Sequence, residues 1–236
     1  TQITAVSGTG ASSSVTADFT ADAAPTIDLV SADDRINATE NTAGFNLTGT
    51  GVNGSTVTVS GFENGIADKT ATVTGGVWSI AIVDADLADD GSNTLSATQT
   101  DAAGNVSPAS ADRVLTTDLT ADAAPTIDLV SADDRINDTE NTAGFNLTGT
   151  GVNGSTVTVS GFENGIADKT ATVTGGVWSI AIVDADLADD GSNTLSATQT
   201  DAAGNVSDAV TRDITTDLTA PTASNVTIAS NNATNT

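Results

Sequence analysis

An internal repeat constrains this chain more than any other feature of its sequence. Residues 20–107 recur at 120–207, and across that span the two copies differ at one position, where Ala38 is replaced by Asp138. Copies that agree at turn and surface positions alike indicate a duplicated folding unit rather than one shared functional site. The chain therefore consists mainly of two similar domains.

We place these domains at 21–119 and 120–218. Residues 1–20 are expected to be the C-terminal end of a preceding repeat, and residues 219–236 the start of a following, divergent repeat. The chain is therefore expected to be part of a longer protein, whose targeting signals could lie outside it.

Short runs of alternating polarity, separated by Gly, Asn and Asp, fill each copy, and no stripe of helical period occurs. Ile27 and Leu29 are predicted to point inward from the first run, and Gly75 with Gly76 to form a two-residue hairpin turn. Seven strands are predicted in the first copy, at 25–31, 44–50, 55–61, 69–74, 77–82, 93–100 and 106–115. This count is typical of an immunoglobulin-like fold, so the fold class is all-β, with tandem immunoglobulin-like β-sandwiches of about seven strands each.

Composition excludes several classes of function. The chain has 31 acidic and 6 basic residues, a net charge of −25, and neither histidine nor cysteine. Nucleic acid and anionic membranes are poor partners for such a surface, whereas hydrated cations are good ones. Without histidine, no pairing of a nucleophile with a general base can be proposed, so we expect no enzyme. The longest apolar stretch lies near "VWSIAIV", so no membrane insertion is expected in this segment.

Trp78, the single tryptophan of the first copy, has two interpretations. It alternates with Ile80 and Ile82, which favours a place in the core, but a lone tryptophan can also be a stacking platform for a sugar ring. The alternative function is accordingly a ligand-binding module for carbohydrate, ice or another surface. That alternative predicts either exposed aromatic side chains, of which Phe62 is the candidate, or a flat and regular threonine array. The threonines of "TVTVS" and "KTATVT" are also what the outer face of ordinary strands contains.

Several motifs together are similar to a known family. "LTGTGVNGSTVTVSG", "GGVWSIAI", "DLADDGSNTLSATQTDAAGNVS" and "TDLTADAAPT" resemble the bacterial Ig-like repeats of giant RTX-type adhesins and biofilm-associated surface proteins, and the likeness covers about 22–217. The resemblance implies secreted extender domains in a monomeric, elongated array at the bacterial cell surface, anchored in the outer membrane. It also implies calcium at the domain junctions, with neighbouring repeats as partners.

The placement of the carboxylates supports the same expectation. If the strands run up and down, "SADDRINATE" (31–40) and "VDADLADDGS" (83–92) lie at the C-terminal end of the first domain, and "TDAAGN" (200–205) lies at the N-terminal end of the second. Calcium takes six to eight oxygen ligands in flexible geometry and would neutralise carboxylates that converge there. The predicted calcium ligands are Asp118, Asp122, Asp201, Asp34 and Asp86, with Asp18, Asp22, Asp101 and Asp217 in the corresponding positions of the other junctions.

Some of these residues also have structural interpretations. The spacing of the loop 83–92 fails the EF-hand pattern, and its aspartates can instead decorate a short helical turn above a buried Leu87; they are Asp84, Asp86, Asp89 and Asp90. Asp101 and Asn105 can cap a tight turn around Gly104. The segment after Asp217 lacks a counterpart of Asp122, so a weaker or different site is expected there.

Overall fold

The computed structural model describes residues 2–6, 12–63 and 65–222. The chain divides into two compact units, of which the first comprises residues 1–122 and 200–207, and the second 123–199 and 208–236. Residues 200–207 therefore lie in the first unit, although the sequence repeat places them in the second copy. The predicted following repeat falls mostly on residues 223–236, outside the described residues.

Short strands dominate the first unit. Strands β1 (Gln2–Val6) and β2 (Ser12–Thr16) form an antiparallel pair. The first repeat contains one short helix, α1 (Ala38–Ala43), and the strands β3 (Arg35–Ile36), β4 (Phe45–Thr50), β5 (Thr56–Ser60), β6 (Lys69–Thr72), β7 (Val77–Ile82), β8 (Gly91–Thr100) and β9 (Arg113–Thr117).

The strands of the first repeat form two sheets. One sheet has the order β3-β9-β8-β5-β6, with β3 parallel to β9, and the other pairs β4 with β7. An extended segment adds to the smaller sheet, because the backbone N–H groups of Thr26 and Asp28 donate to the carbonyls of Thr50 and Thr48 at 3.0 and 2.9 Å. The prediction of an all-β sandwich is confirmed.

Only the first half of the predicted strand 25–31 lies in a sheet. Its first half pairs with β4, and after a turn the chain joins β9 as β3, a strand that the sequence did not indicate. Ser31, Ala32 and Asp34 in this turn have positive φ angles of 46°, 66° and 60°, a backbone region that favours glycine. The chain thus accepts local strain to change sheets.

The early end of this strand explains one wrong prediction. Ile27 is buried as expected, but Leu29 is 54% exposed and Val30 is buried in its place. The alternation ends there because the Val30 carbonyl already accepts the N–H groups of Asp33 and Asp34 in the turn.

The second repeat has the same two sheets. Its five-stranded sheet has the order β10-β16-β15-β12-β13, and β11 pairs with β14. Its elements are α2 (Asp138–Ala143), β10 (Arg135–Asn137), β11 (Phe145–Thr150), β12 (Thr156–Ser160), β13 (Lys169–Thr172), β14 (Val177–Ile182), β15 (Asp190–Thr200) and β16 (Val210–Asp217).

One residue fewer separates Ser207 from Arg212 than separates Ser107 from Arg113. The structure absorbs this difference before the arginine, so that Arg113 faces Leu95 and Arg212 faces Leu195 in the same register.

The core lies between the two sheets. Leu47 and Trp78 from the small sheet belong to one buried cluster with Val57, Leu95 and Leu115 from the large sheet. Trp78 is 2% exposed, and its indole N–H donates to the Thr50 carbonyl at 3.2 Å. The interpretation of Trp78 as a core residue is confirmed.

The turn at Gly75 and Gly76 connects the two sheets. Both glycines have positive φ, and Thr74 and Val77 exchange backbone hydrogen bonds across the turn. The two-residue turn is therefore as predicted, but the strands on either side pair elsewhere, β6 with β5 and β7 with β4. Among the described residues no helix is long and apolar enough to cross a membrane.

Candidate functional site

The loop 201–205, with the sequence Asp-Ala-Ala-Gly-Asn, is held in shape by its own first residue. Asp201 Oδ1 accepts the backbone N–H groups of Ala203, Gly204 and Asn205 at 2.8 to 2.9 Å, and Asp201 Oδ2 accepts Asn205 Nδ2 at 2.8 Å. Gly204 has a φ of +97°, which only glycine adopts without cost. The loop is consequently a preorganised element.

The equivalent loop of the first repeat has the predicted capped turn. Gly104 has a φ of +92°, and Asp101 Oδ1 accepts the N–H groups of Ala103 and Asn105 at 2.8 and 2.9 Å. Hydrogen bonds from Asn105, first from its side chain and then from its backbone, lower the pKa of the Asp101 carboxyl. The carboxylate form of Asp101 therefore stabilises the turn.

Three hydrogen bonds fix the loop 201–205 within the first unit. Asn205 Nδ2 donates to the backbone carbonyl of Asp118 at 2.8 Å, and the N–H of Ala38 donates to Asn205 Oδ1 at 3.0 Å. Asn37 Nδ2 donates to the Ala203 carbonyl at 3.1 Å. Ala203 and Asn205 are buried. Each of these bonds joins the side-chain amide of an asparagine to a backbone group.

Helix α1 presents Asn37 in the required orientation. Asn37 is the N-cap residue: its Oδ1 accepts the N–H groups of Thr39 and Glu40 at 2.9 Å, and Glu40 Oε2 accepts the Asn37 N–H at 3.1 Å. Because this capping box uses the amide oxygen of Asn37, its Nδ2 is left to donate to the loop.

Asp118 takes part in these contacts through its backbone carbonyl, and the charged form of its side chain is disfavoured. Partial burial is the largest cause that raises the pKa of its carboxyl, and the negative charge of Asp201 is the next. The charges of Asp90 and Asp122 raise the Asp118 pKa further. Asp122 and Asp201, which were predicted to lie near Asp118, are thus close enough to repel it.

Asp90 is a member of this group that the sequence reasoning missed. Its Oδ1 accepts the Leu119 N–H at 2.7 Å, and its Oδ2 accepts the Thr120 hydroxyl at 3.1 Å. Asp190 makes the same bonds to Leu218 and Thr219, and the N–H of Leu218 is the main cause that lowers the Asp190 pKa. The sequence marks Asp90 only as the residue before the glycine of "DDGS". That pattern indicates a turn as well as it indicates a metal ligand.

Two of the predicted ligands bind basic side chains. Asp34 Oδ2 lies 2.8 Å from Arg113, and the buried Asp86 lies 2.6 Å from Lys69. Asp86 is the last residue of the predicted helical turn, which the structure contains as a 3₁₀ turn at Asp84–Asp86, and Leu87 is buried beneath it as predicted. These carboxylates already have protein partners that neutralise them.

The remaining predicted ligands are Asp18, Asp22, Asp101 and Asp217. Asp18 Oδ1 accepts the Thr20 N–H at 3.0 Å, and Asp22 Oδ2 accepts the Ser55 hydroxyl at 2.6 Å. Asp101 caps its own loop, as described above. Asp217 ends β16 in the second unit.

The group around Asp118 fits calcium in its chemistry, since it offers only carboxylate and carbonyl oxygens. Within the part of the chain that the structure describes, however, no three acidic side chains converge closely enough to hold a metal ion. Calcium would therefore have to draw the carboxylates closer together than they lie here.

Two aromatic side chains of the first repeat, Phe62 and Trp78, pack in or against the core. Phe62 is half-buried against the core, and Lys69 Nζ lies 5.8 Å from the centre of its ring. Phe62 was the candidate exposed aromatic of the ligand-binding alternative. Its packing and the burial of Trp78 remove the aromatic side chains that the sequence offered in support of that alternative.

Comparison with known proteins gives a family match for nearly the whole chain. The family model described as "Bacterial Ig domain" matches residues 21–118 and 121–216. A search of the curated proteins found no match.

Three solved structures illustrate the similarity. A Ca²⁺-stabilized adhesin that helps an Antarctic bacterium reach out and bind ice is 29% identical over 93% of this chain and 57% of its own, with a TM-score of 0.48. A 1.5-MDa bacterial ice-binding adhesin is 28% identical over 89% of this chain and 69% of its own, with a TM-score of 0.44. The fibronectin(III)-like modules of CbhA from Clostridium thermocellum are 18% identical over 82% of this chain and 94% of theirs, with a TM-score of 0.50, and show a similarity of fold alone.

Proposed function

The chain belongs to the bacterial Ig domain family, and we propose that its two repeats are non-catalytic structural segments of a bacterial surface adhesin, stiffened by calcium at the segment that follows each repeat. The protein is secreted and held at the cell surface through the outer membrane, as a monomeric and elongated array. Neighbouring repeats and calcium ions are its partners.

The observation that carries this proposal is the electrostatic state of Asp118. A carboxyl group whose pKa is raised by burial and by three neighbouring carboxylates is destabilised in its charged form. A divalent cation relieves that repulsion, and the oxygen-only chemistry of the surroundings favours calcium over zinc. The residues proposed to hold calcium are Asp118, Asp122 and Asp201, with Asp90 nearby.

The structural role is supported by side chains that serve the fold of each repeat. The carboxylates of Asp34 and Asp86 form ion pairs, and the one tryptophan of each repeat is buried. The sequence also resembles the repeats of RTX-type adhesins over about 22–217. A series of such domains extends a protein by a fixed length per repeat, because each repeat folds around its own core.

The test compares the full chain with calcium and with a chelator, by small-angle scattering and by calorimetric melting. Calcium is expected to reduce the spread of molecular dimensions and to raise the melting temperature of the first unit. At a calcium concentration of about 100 times the dissociation constant, the added stability is about 2.7 kcal/mol. If neither quantity responds to calcium, the proposed metal function is wrong.

Two variants locate the effect. The double variant Asp118→Asn with Asp122→Asn is expected to abolish the response to calcium. A matched variant, Asp112→Asn with Asp68→Asn, removes the same charge from exposed positions elsewhere in the first unit and is expected to retain it. A full response in the first variant would contradict the assignment of these residues.

A further inference from the structure

The first and second repeats present the same docking surface in two different states. In the first unit the surface consists of Asn37, Ala38 and Asp118, and we call it the first socket. The loop 201–205 occupies the first socket through the three hydrogen bonds given above. In the second unit the corresponding residues are Asn137, Asp138 and Asp217, and we call them the second socket.

The local structure around the two sockets is the same. Ile36 pairs with Thr117 in a parallel register, and Asn137 pairs with Asp217 one residue beyond the corresponding position. Asn137 is the N-cap of α2 with a complete capping box, as Asn37 is of α1. The second socket thus offers the same donors and acceptor as the first.

The second socket differs in that these groups face solvent. Asn137, Asp138 and Asp217 are all exposed, whereas Asn37, Ala38 and Asp118 are half-buried. In the first socket Asn37 Nδ2 donates to the Ala203 carbonyl. In the second socket the corresponding atom, Asn137 Nδ2, donates to Glu140 Oε2 of its own helix at 2.7 Å. A cleft of about 480 Å³ adjoins the second socket, lined by Asn137, Asp138, Thr139, Asp217, Leu218, Thr219, Ala220 and Pro221.

We propose that the second socket binds the Asp-Ala-Ala-Gly-Asn loop of a further repeat that follows it, through the hydrogen bonds that the first socket makes to residues 201–205. This inference rests on the proposed function, in which the repeats form a continuous array. It adds the chemistry of recognition, which is a preorganised turn bound by backbone and amide groups and independent of calcium.

The single difference between the copies is compatible with this docking. Ala38 contributes its backbone N–H to Asn205, and replacement by Asp138 leaves that donor in place. The added carboxylate lies in the first turn of α2, where a negative charge interacts favourably with the helix N-terminus. It also gives the second socket a charge that the first lacks, so the two sockets can differ in affinity for the same loop.

The occupied state has a measurable signature. The Ala38 N–H is bonded to Asn205, so its hydrogen exchange is expected to be slow, whereas the exposed Asp138 N–H exchanges quickly. Peptides that contain these two positions differ in mass because of the Ala-to-Asp change, so mass spectrometry separates the otherwise identical copies.

The experiment replaces residues 218–236 with a further copy of residues 119–217 and measures exchange in the presence of a chelator. In the appended copy Asp138 is changed to Glu, so that its peptide differs in mass from those of the first two repeats. Exchange at the Asp138 N–H is expected to slow by about tenfold or more relative to the unextended chain. The change Asn205→Ala, made only in the appended copy, is expected to remove this protection. The core-strand peptides have the same sequence in every copy, so a single slowly exchanging population of these peptides shows that the appended copy is folded in each case.

Two results would overturn the proposal. One is unchanged exchange at Asp138 when the appended copy is folded. The other is protection in the unextended chain that grows with concentration, which would assign the second socket to a second copy of the chain. Because calcium is removed throughout, a failure of the calcium proposal leaves this test unaffected, and a failure here leaves the scattering test unaffected.

Discussion

Asn205 donates its side-chain amide to the backbone carbonyl of Asp118 at 2.8 Å, and so ties a preformed loop to the strand end where the carboxylates repel one another. The corresponding pair, Asn105 and Asp18, is joined by a longer bond of 3.2 Å. The loop 201–205 is buried at Ala203, while Ala103 is exposed. Identical sequences therefore contribute differently to stability, according to what surrounds them.

Asn205→Ala is expected to destabilise the first unit more than Asn105→Ala does. Asn205 bonds to Asp118, Ala38 and its own loop, and the loss of buried hydrogen bonds costs about 1–3 kcal/mol. Hydrogen exchange at the Ala38 N–H measures the effect directly and is expected to accelerate only in Asn205→Ala. Equal acceleration in both variants would show that the loop contact is not the cause.

Asp118→Asn is expected to stabilise the first unit when calcium is absent. Since the pKa of Asp118 is raised in the folded protein, its charged form is disfavoured above that pKa. Asp118 is only partly buried, so solvent screening limits the gain to about 1 kcal/mol or less.

The stabilisation by Asp118→Asn is expected to depend on pH. Lowering the pH through the raised pKa protonates Asp118 and removes the repulsion, so the difference in melting temperature between the two proteins is expected to shrink. Asp112→Asn, which removes the same charge from an exposed site, is the control. A gain that persists unchanged below pH 3 would contradict a cause in the ionisation of Asp118, given the ordinary pKa of about 3.9 for aspartate.

Arg113→Gln is expected to destabilise the turn by which the chain changes sheets. Arg113 donates to Asp34 Oδ2 and to the Ile27 carbonyl, both at 2.8 Å, and so holds a turn with strained φ angles. Loss of these charge-assisted bonds is expected to cost about 1.5–3 kcal/mol.

Arg35→Gln is the matched control for Arg113, because it makes the same change of charge at an exposed neighbour. Calorimetric melting of both variants measures the difference. Arg212→Gln is expected to have the corresponding effect in the second unit, since Arg212 contacts Asp134 and the Ile127 carbonyl.

The fold could largely be predicted from the sequence because alternation specifies which face of each strand is buried. Val57, Val59 and Trp78 are buried as their alternation predicts. The strand β3 could not be predicted, because two residues carry no periodicity and its pairing with β9 depends on a turn with non-glycine residues at positive φ.

The candidate site was predictable only in part. The positions of Asp118 and Asp201 follow from the repeat and the alternation of strand direction, so their proximity could be inferred. The ion pairs of Asp34 and Asp86 could not, because Arg113 and Lys69 are distant from them in sequence and reach them only in the folded sandwich.

Gly49→Ala is expected to unfold the first repeat, with a cost of about 3 kcal/mol or more. A Cβ at this position would lie 1.9 Å from the Thr26 carbonyl oxygen and 2.6 Å from the Trp78 ring. Neither neighbour can move, since Thr26 is bonded to β4 and Trp78 fills the core.

Gly54→Ala is the control: a Cβ there meets open space, and the cost is limited to that of a φ of +92°, about 1–2 kcal/mol. Calorimetric melting is expected to show one transition lost or strongly lowered in Gly49→Ala, with the transition of the second repeat retained. A similar small shift in both variants would show that the small sheet yields at this contact.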